Sequence, residues 1–410
     1  MQPPQKLISY KWQFAPRFRR NAFGWKSDTP IQRIKEALSE IRLVARKEPI
    51  LAAEGAIVLL EKLSPALMNV DSSSGALGSM VNHAIETLVP LITQAEVDAV
   101  RRARWLDRLW DAIQEDEMPY IEYLADFWGE LCVEPQVASA WADQFAPIVE
   151  RIWSPAESGY GHFKGTDACL SALHAAGRYD ELLALVAKAR FKSWHNRRWG
   201  VKALLSMGKK AEAIRYAEES RGLNTPEGQI ATVCEEILLS SGLADDAYPR
   251  YAIAANRTTT NLATFRAIAK KYPHKDAADI LLDLVRSEPG AEGKWFAAAK
   301  DVGLFDVAIA LANRSPTDPR TLTRAARDYA SKRPDFALAA GLAALSWMAR
   351  GHGYEITGQD VLVAFDAVMQ AAAGAEIDEQ QIKDQVRQSI AVQASDLNFV
   401  QRTLQAHLSQ

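Results

Sequence analysis

The chain has 410 residues, 48% hydrophobic and 24% charged, with a formal net charge of −3. That is ordinary globular composition, long enough for two or three domains or for one repeat array whose core grows unit by unit. It excludes a global electrostatic pull toward nucleic acid or membrane, so any such attraction has to be local.

Residues 1–28 read as a distinct arm. Tyr10, Trp12, Phe14, Phe18, Phe23 and Trp25 are interleaved there with Lys6, Lys11, Arg17, Arg19, Arg20 and Lys26, and the charge over residues 1–35 is +7. Two readings stand side by side: rings packed onto the first helices, or a partner-binding arm. Thr29, Pro30 and Gln32 then predict a capped helix start. Helical periodicity runs over 31–47 and 49–63 and should break at Ser64-Pro65. Another helix is expected over 77–92, and Thr93 with Glu96 reads as a capping box opening 95–113. Apolar residues keep helical spacing through Trp128, Trp141 and Ile152, which makes 29–153 about six helices. Ser154 to Gly165 is the best boundary.

From residue 166 to about 350 one phrase recurs. It reads Gly177-Arg178-Tyr179-Asp180-Glu181-Leu182, then Gly208 to Ala213, Gly242 to Ala247 and Gly303 to Ala308, with looser copies at Pro273 to Ala278 and Lys332 to Ala337. Spacings of 31, 34, 31, 30 and 29 residues suit two short helices and two turns. A period of this size means stacked hairpins, because one hairpin cannot bury its apolar face alone. The Gly would end the first helix at positive φ. The position five residues on is Leu182, Ala213, Ala247, Ala278, Ala308 and Ala337, a small side chain that lets the partner helix approach. Gly351-His352-Gly353-Tyr354 breaks the array. Helices over 358–374 and about 378–408 then read as a divergent cap.

The turn and second helix resemble the tetratricopeptide repeat (TPR), whose phrase is Gly-x-Tyr-x-x-Ala; Gly177-Arg178-Tyr179 and Gly208 to Ala213 carry the likeness. It covers about 185 residues. The first helix of each unit lacks the family's Trp, Leu and Gly pattern, so the array is TPR-like. Stretches such as Ala52 to Ala56, Leu63 to Leu67 and Gly293 to Lys300 also resemble a group of bacterial helical-repeat proteins. Together these imply an all-α fold with a superhelical array: an arm (1–28), an N-terminal helical module (29–160), TPR-like repeats (161–350) and capping helices (351–410).

The strongest local signal is electrostatic. From Leu182 to Ala211 there is no acidic residue, while Lys188, Arg190, Lys192, Arg197, Arg198, Lys202, Lys209 and Lys210 give +8, interleaved with Phe191, Trp194, His195 and Trp199. Cations with stackable rings suit a phosphate backbone or unstacked bases; an acidic peptide in a repeat groove needs nearly the same. The bland alternative is rings in the core and cations on a solvated face. Glu122, Asp126 and Glu130 share a helix face at i, i+4, i+8 and read as solvated, or as an internal partner for a basic patch. Convergent oxygen ligands for a metal are not visible in that spacing. Gly159-Tyr160-Gly161-His162-Phe163-Lys164-Gly165 reads as an interdomain turn, or as a loop able to host a ligand.

No GxSxG, Walker, HExxH or GxGxxG motif occurs. The spacings from Arg190 to His195 and from Arg402 to His407 match some helical ribonucleases no better than chance. Cys132, Cys169 and Cys234 lack metal or disulfide spacing and read as buried thiols in a reducing compartment. No apolar signal core and no window of about eighteen apolar residues is present. The expectation is therefore a non-enzymatic adaptor in a bacterial cytoplasm, with no cofactor, metal or membrane partner. It binds a protein or acidic peptide through Lys188, Arg190, Lys192, Trp194, His195, Arg197, Arg198, Trp199 and Lys202, with Arg17, Arg19 and Arg20 of the arm. The alternatives are a nucleic-acid-binding repeat protein and a nuclease with an unrecognised site.

Overall fold

The glycines of the recurring phrase have the conformation that their position demands. Gly177, Gly208, Gly242 and Gly303 have φ of 72°, 76°, 74° and 78°. Around each, the same two hydrogen bonds close the preceding helix: Arg178 N–H donates to Leu173 O and Gly177 N–H to His174 O, and the other three copies repeat the pair. This is the Schellman arrangement, which satisfies orphan carbonyls and needs a left-handed residue. A Cβ added at Gly208 meets nothing within 4 Å. Gly208→Ala should therefore lose about 1 kcal/mol from backbone strain alone, read by urea titration; a loss several times larger would mean that packing sets this turn.

The computed structural model describes residues 10–154, 161–222, 226–391 and 398–409. Among them all regular structure is helical, twenty-one α-helices and three 3-10 helices. The chain divides into two compact units, 1–226 and 227–410.

The first unit begins with the arm, where Trp12, Phe14, Phe18 and Phe23 are buried and each ring contacts the next along the chain. Trp12 lies so close over Gly55 that a Cβ there would be 2.2 Å from the indole. The backbone N–H groups of Gln13 and Phe14 donate to the Glu40 carboxylate, which fastens the arm to the first helix.

Helices α1 (Asp28–Ala45), α2 (Pro49–Leu67), α3 (Ala76–Thr93) and α4 (Ala99–Gln114) follow. Three local expectations are corrected. Thr29 lies inside α1 and caps nothing; Ser27 precedes the helix without a side-chain cap bond. Helix α2 runs through Pro65 to Leu67, because Ala66 and Leu67 are fully buried and core packing outweighs the breaker. Asp98, not Thr93, caps α4, accepting from Arg101 N–H. A 3-10 helix (Glu122–Phe127) leads into α5 (Trp128–Cys132), and α6 (Pro135–Trp153) closes the N-terminal series.

Two hairpins complete this unit: α7 (Thr166–Ala175) with α8 (Tyr179–Ala187), and α9 (Trp194–Ser206) with α10 (Lys210–Glu218). Helices α7, α8 and α9 share one core with the N-terminal helices. Trp110, Trp128, Trp141, Phe145 and Phe163 form a continuous ring cluster. Gly129 N–H donates to Ser171 Oγ, which donates in turn to Asp126 O. The compact unit therefore continues past 154–165 to residue 226.

The second unit carries four more hairpins: α11 (Glu227–Leu239) with α12 (Ala244–Ala255); α13 (Asn261–Lys271) with α14 (Ala277–Ser287); a 3-10 turn (Glu292–Trp295) and α15 (Phe296–Asp301) with α16 (Phe305–Arg314); and α17 (Pro319–Tyr329) with α18 (Pro334–Ala349). All six phrases fall in the turn inside a hairpin. Leu182, Ala213, Ala247, Ala308 and Ala337 are fully buried, as close helix approach requires. Ala278 is only half-buried. There the Asp276 side chain caps α14, which starts two residues later in the phrase than the other second helices, and Ile280 takes the buried slot. The terminal part comprises α19 (Gly358–Gly374), α20 (Glu379–Ile390) and α21 (Phe399–Leu408), two helices where one was expected over 378–408. They pack in a core of their own with α18.

Ion pairs tie successive first helices together within each unit. Arg266 of α13 meets Asp301 of α15, Lys271 of α13 meets Glu235 of α11, and Arg320 of α17 meets Asp360 of α19. The counterpart in the first unit is the candidate site.

Candidate functional site

The basic segment divides sharply by burial. Trp194 and Trp199 are 6% and 3% exposed, and Arg197 is 8% exposed. Arg197 donates from Nε to Ser220 Oγ at 2.6 Å and from Nη2 to Tyr216 O at 3.0 Å. Its guanidinium lies 3.7 Å from the Tyr216 ring centroid. Gly200 makes room for this, since a Cβ there would come within 2.6 Å of the same ring. Arg197 is thus an internal strut between α9 and α10. Lys188 pairs with Glu150 at 2.7 Å. Arg190 and Lys192 are exposed in the connection between α8 and α9, and Lys209 and Lys210 are exposed beyond α9. The Lys202 ammonium sits 4.0 Å over the Trp199 ring, and burial, followed by the neighbouring Arg198 charge, pushes its pKa down.

His195 and Arg198 enter a four-residue network. His195 Nε2 lies 2.7 Å from Asp167 Oδ2. Arg198 Nη2 donates to both Asp126 oxygens, at 2.7 and 2.8 Å, and stands 3.7 Å from Asp167 Oδ1. Asp167 is on the first turn of α7, His195 and Arg198 on the first two turns of α9, and Asp126 on the 3-10 helix. The hydrogen bond to Asp167 raises the His195 pKa against the effect of burial. Burial raises the Asp126 carboxyl, while the Arg198 charge beside it acts the other way. Asp126 is the internal partner that the acidic spacing allowed for. Its shared helix face with Glu122 and Glu130 is not formed, however, because residues 122–127 are 3-10 rather than α-helical. Asp167 was not singled out in the sequence: an acid on the first turn of a repeat helix looks like any helix-start carboxylate.

The arm's cations lie on other elements. Arg17 pairs with Glu36 of α1 and Arg20 with Glu117 after α4, while Arg19 is exposed. Of the glycine-rich loop, Gly159 and Tyr160 fall outside the described residues. Lys164 Nζ donates to the carbonyls of Gln114 and Asp116, so it braces the loop after α4. With His162, Glu117 and Glu122 it lines a half-open cleft of about 380 Å³. His174 Nε2 lies 3.1 Å from Ser206 Oγ, and burial lowers the His174 pKa. Cys132 and Cys169 are pushed up to about 12 by burial, which makes them poor nucleophiles at neutral pH.

No protein-family model and no curated protein matches this sequence. Among solved structures the chain is similar to one titled "Crystal structure of APC/C hetero-tetramer Cut9-Hcn1", at 11% identity and TM-score 0.22, over 88% of this chain and 76% of that one. At that score the likeness carries no argument about this chain. The all-α, TPR-like stack of hairpins stands on the helices and turns described above. No helix among the described residues is long and apolar enough to cross a membrane.

Proposed function

We propose that the protein is a non-enzymatic helical-repeat adaptor that binds an acidic protein segment on the exposed face of α9 and the connection before it. One observation carries this reading. His195 and Lys202, spaced i and i+7, are exposed on α9 with the half-buried Arg198 between them held by Asp126, while Trp194, Arg197 and Trp199 fill its inward side. Hairpin stacks present successive first-helix faces as an extended surface, and peptides dock into such surfaces through a few anchors. The same division weakens the nucleic-acid reading. Trp194 and Trp199 are turned inward and cannot stack on bases, which leaves Phe191 as the exposed apolar ring of the segment, and Arg197 is internal.

The test uses the side chains that carry charge outward. Lys192→Glu/Lys202→Glu should lose no more than about 1 kcal/mol of stability, from the Lys202 contact with Trp199. It should slow association with captured protein partners about three- to tenfold at low salt, with the difference shrinking at high salt. Equal capture by both forms at every salt concentration rejects the surface. A mobility shift with RNA or DNA that the double variant abolishes would favour nucleic acid instead.

A further inference from the structure

The Asp126, Asp167, His195 and Arg198 network carries more than a strut needs. One ligand atom each from Asp126, Asp167 and His195 lies within 4.8 Å of the other two. Tetrahedral ligands at about 2.1 Å from one ion lie about 3.4 Å apart, so the widest pair would close by up to about 1.4 Å on binding. Asp167, with 9% of its surface exposed, is the group that the network leaves incomplete. Its Oδ1 is buried and receives no hydrogen bond, and the nearest cation, Arg198 Nη2, stands at 3.7 Å, beyond bonding distance. A buried carboxylate oxygen without a donor is costly and asks for water or an ion.

We propose that Asp126, Asp167 and His195 bind a first-row divalent cation, zinc above all, in competition with the Arg198 guanidinium. The ligand chemistry selects the ion: an imidazole nitrogen disfavours magnesium and calcium, whereas mixed imidazole and carboxylate donors suit zinc and its neighbours. Arg198 Nη2 already contacts both oxygens of Asp126, as a cation in that position would. A metal there would join the 3-10 helix, α7 and α9, and would brace two consecutive hairpins without any catalytic step. Arg198 would turn outward, onto the face assigned above to partner binding, although the metal site does not depend on that assignment.

Titrating the full chain with zinc by calorimetry, and with cobalt by visible absorption, tests this directly. The expected result is one equivalent bound at micromolar concentration. Cobalt should show d–d bands without a sulfur-to-cobalt charge-transfer band, which excludes the cysteines. Asp167→Asn and His195→Ala should each weaken binding at least tenfold while circular dichroism shows the fold intact. Arg198→Met removes the competitor and should bind as tightly as the parent or more so. Absence of a stoichiometric site, affinity unchanged in both ligand variants, or loss of binding in a folded Arg198→Met protein would each overturn the proposal and leave water at Asp167 Oδ1.

Discussion

Glu235→Ala should lower the stability of the second unit by about 2–4 kcal/mol, about 1–3 for each buried donor left without its acceptor. Glu235 is fully buried on α11. It accepts from Lys271 Nζ at 2.5 Å, Tyr272 Oη at 2.8 Å and Asn256 Nδ2 at 2.7 Å. Alanine removes the acceptor of the buried Tyr272 hydroxyl and of one Asn256 N–H, whose amide keeps its bond to Ala252 O, while the exposed Lys271 can turn to water. Glu235→Gln keeps an oxygen and the shape and should lose less, about 1–3 kcal/mol. Converting both Glu235 and Lys271 to methionine should recover only part of the loss, because Asn256 and Tyr272 still lack their partner. Chemical denaturation of the four proteins measures the series. An alanine variant as stable as the parent would show that the network contributes no net stability.

Arg197→Ala is expected to lose about 2–4 kcal/mol, through stranded partners and lost packing in a buried network. The guanidinium bridges Ser220 and Tyr216 and stacks on the Tyr216 ring. Arg197→Lys should not rescue it, because an ammonium cannot donate in that planar fork and stack at once. Lys202→Ala offers the contrast. Lys202 is exposed and loses only its contact with Trp199, worth about 0.5–1 kcal/mol. Urea midpoints of the three variants decide the point; equal small losses would place Arg197 among surface cations. The result bears on function, since reversing charge at Arg197 would confuse unfolding with loss of a partner. Binding tests therefore belong on Lys192 and Lys202.

The hairpin array was legible because its signal is local. A glycine that ends one helix and a small residue one turn into the next need only sequence spacing to be recognised, and five of the six slots are fully buried. The sixth slipped where Pro273 replaces the glycine and Asp276 resets the helix start. Helix ends were less legible. Pro65 and Thr93 carry strong local preferences and were overruled by burial and by the Asp98 cap, while α1 starts one residue before Thr29 with no side-chain cap. The candidate site was half visible: cations and rings stood out as a run, but the run could not say which of them point inward. On a helix, Arg197 and Arg198 differ by a 100° turn, enough to make one a buried strut and the other a partner of Asp126.

By itself the sequence determined the all-helical class, the position of every hairpin turn and the small residues that let paired helices approach. Those depend on backbone conformation and side-chain volume over a handful of neighbours. Only the tertiary structure decided that Asp126, Asp167 and His195 converge around Arg198, with Asp126 and Arg198 72 positions apart in the chain. A charge in sequence is only a count. Its energy depends on distance and burial, and both are set by how helices far apart in the chain pack together.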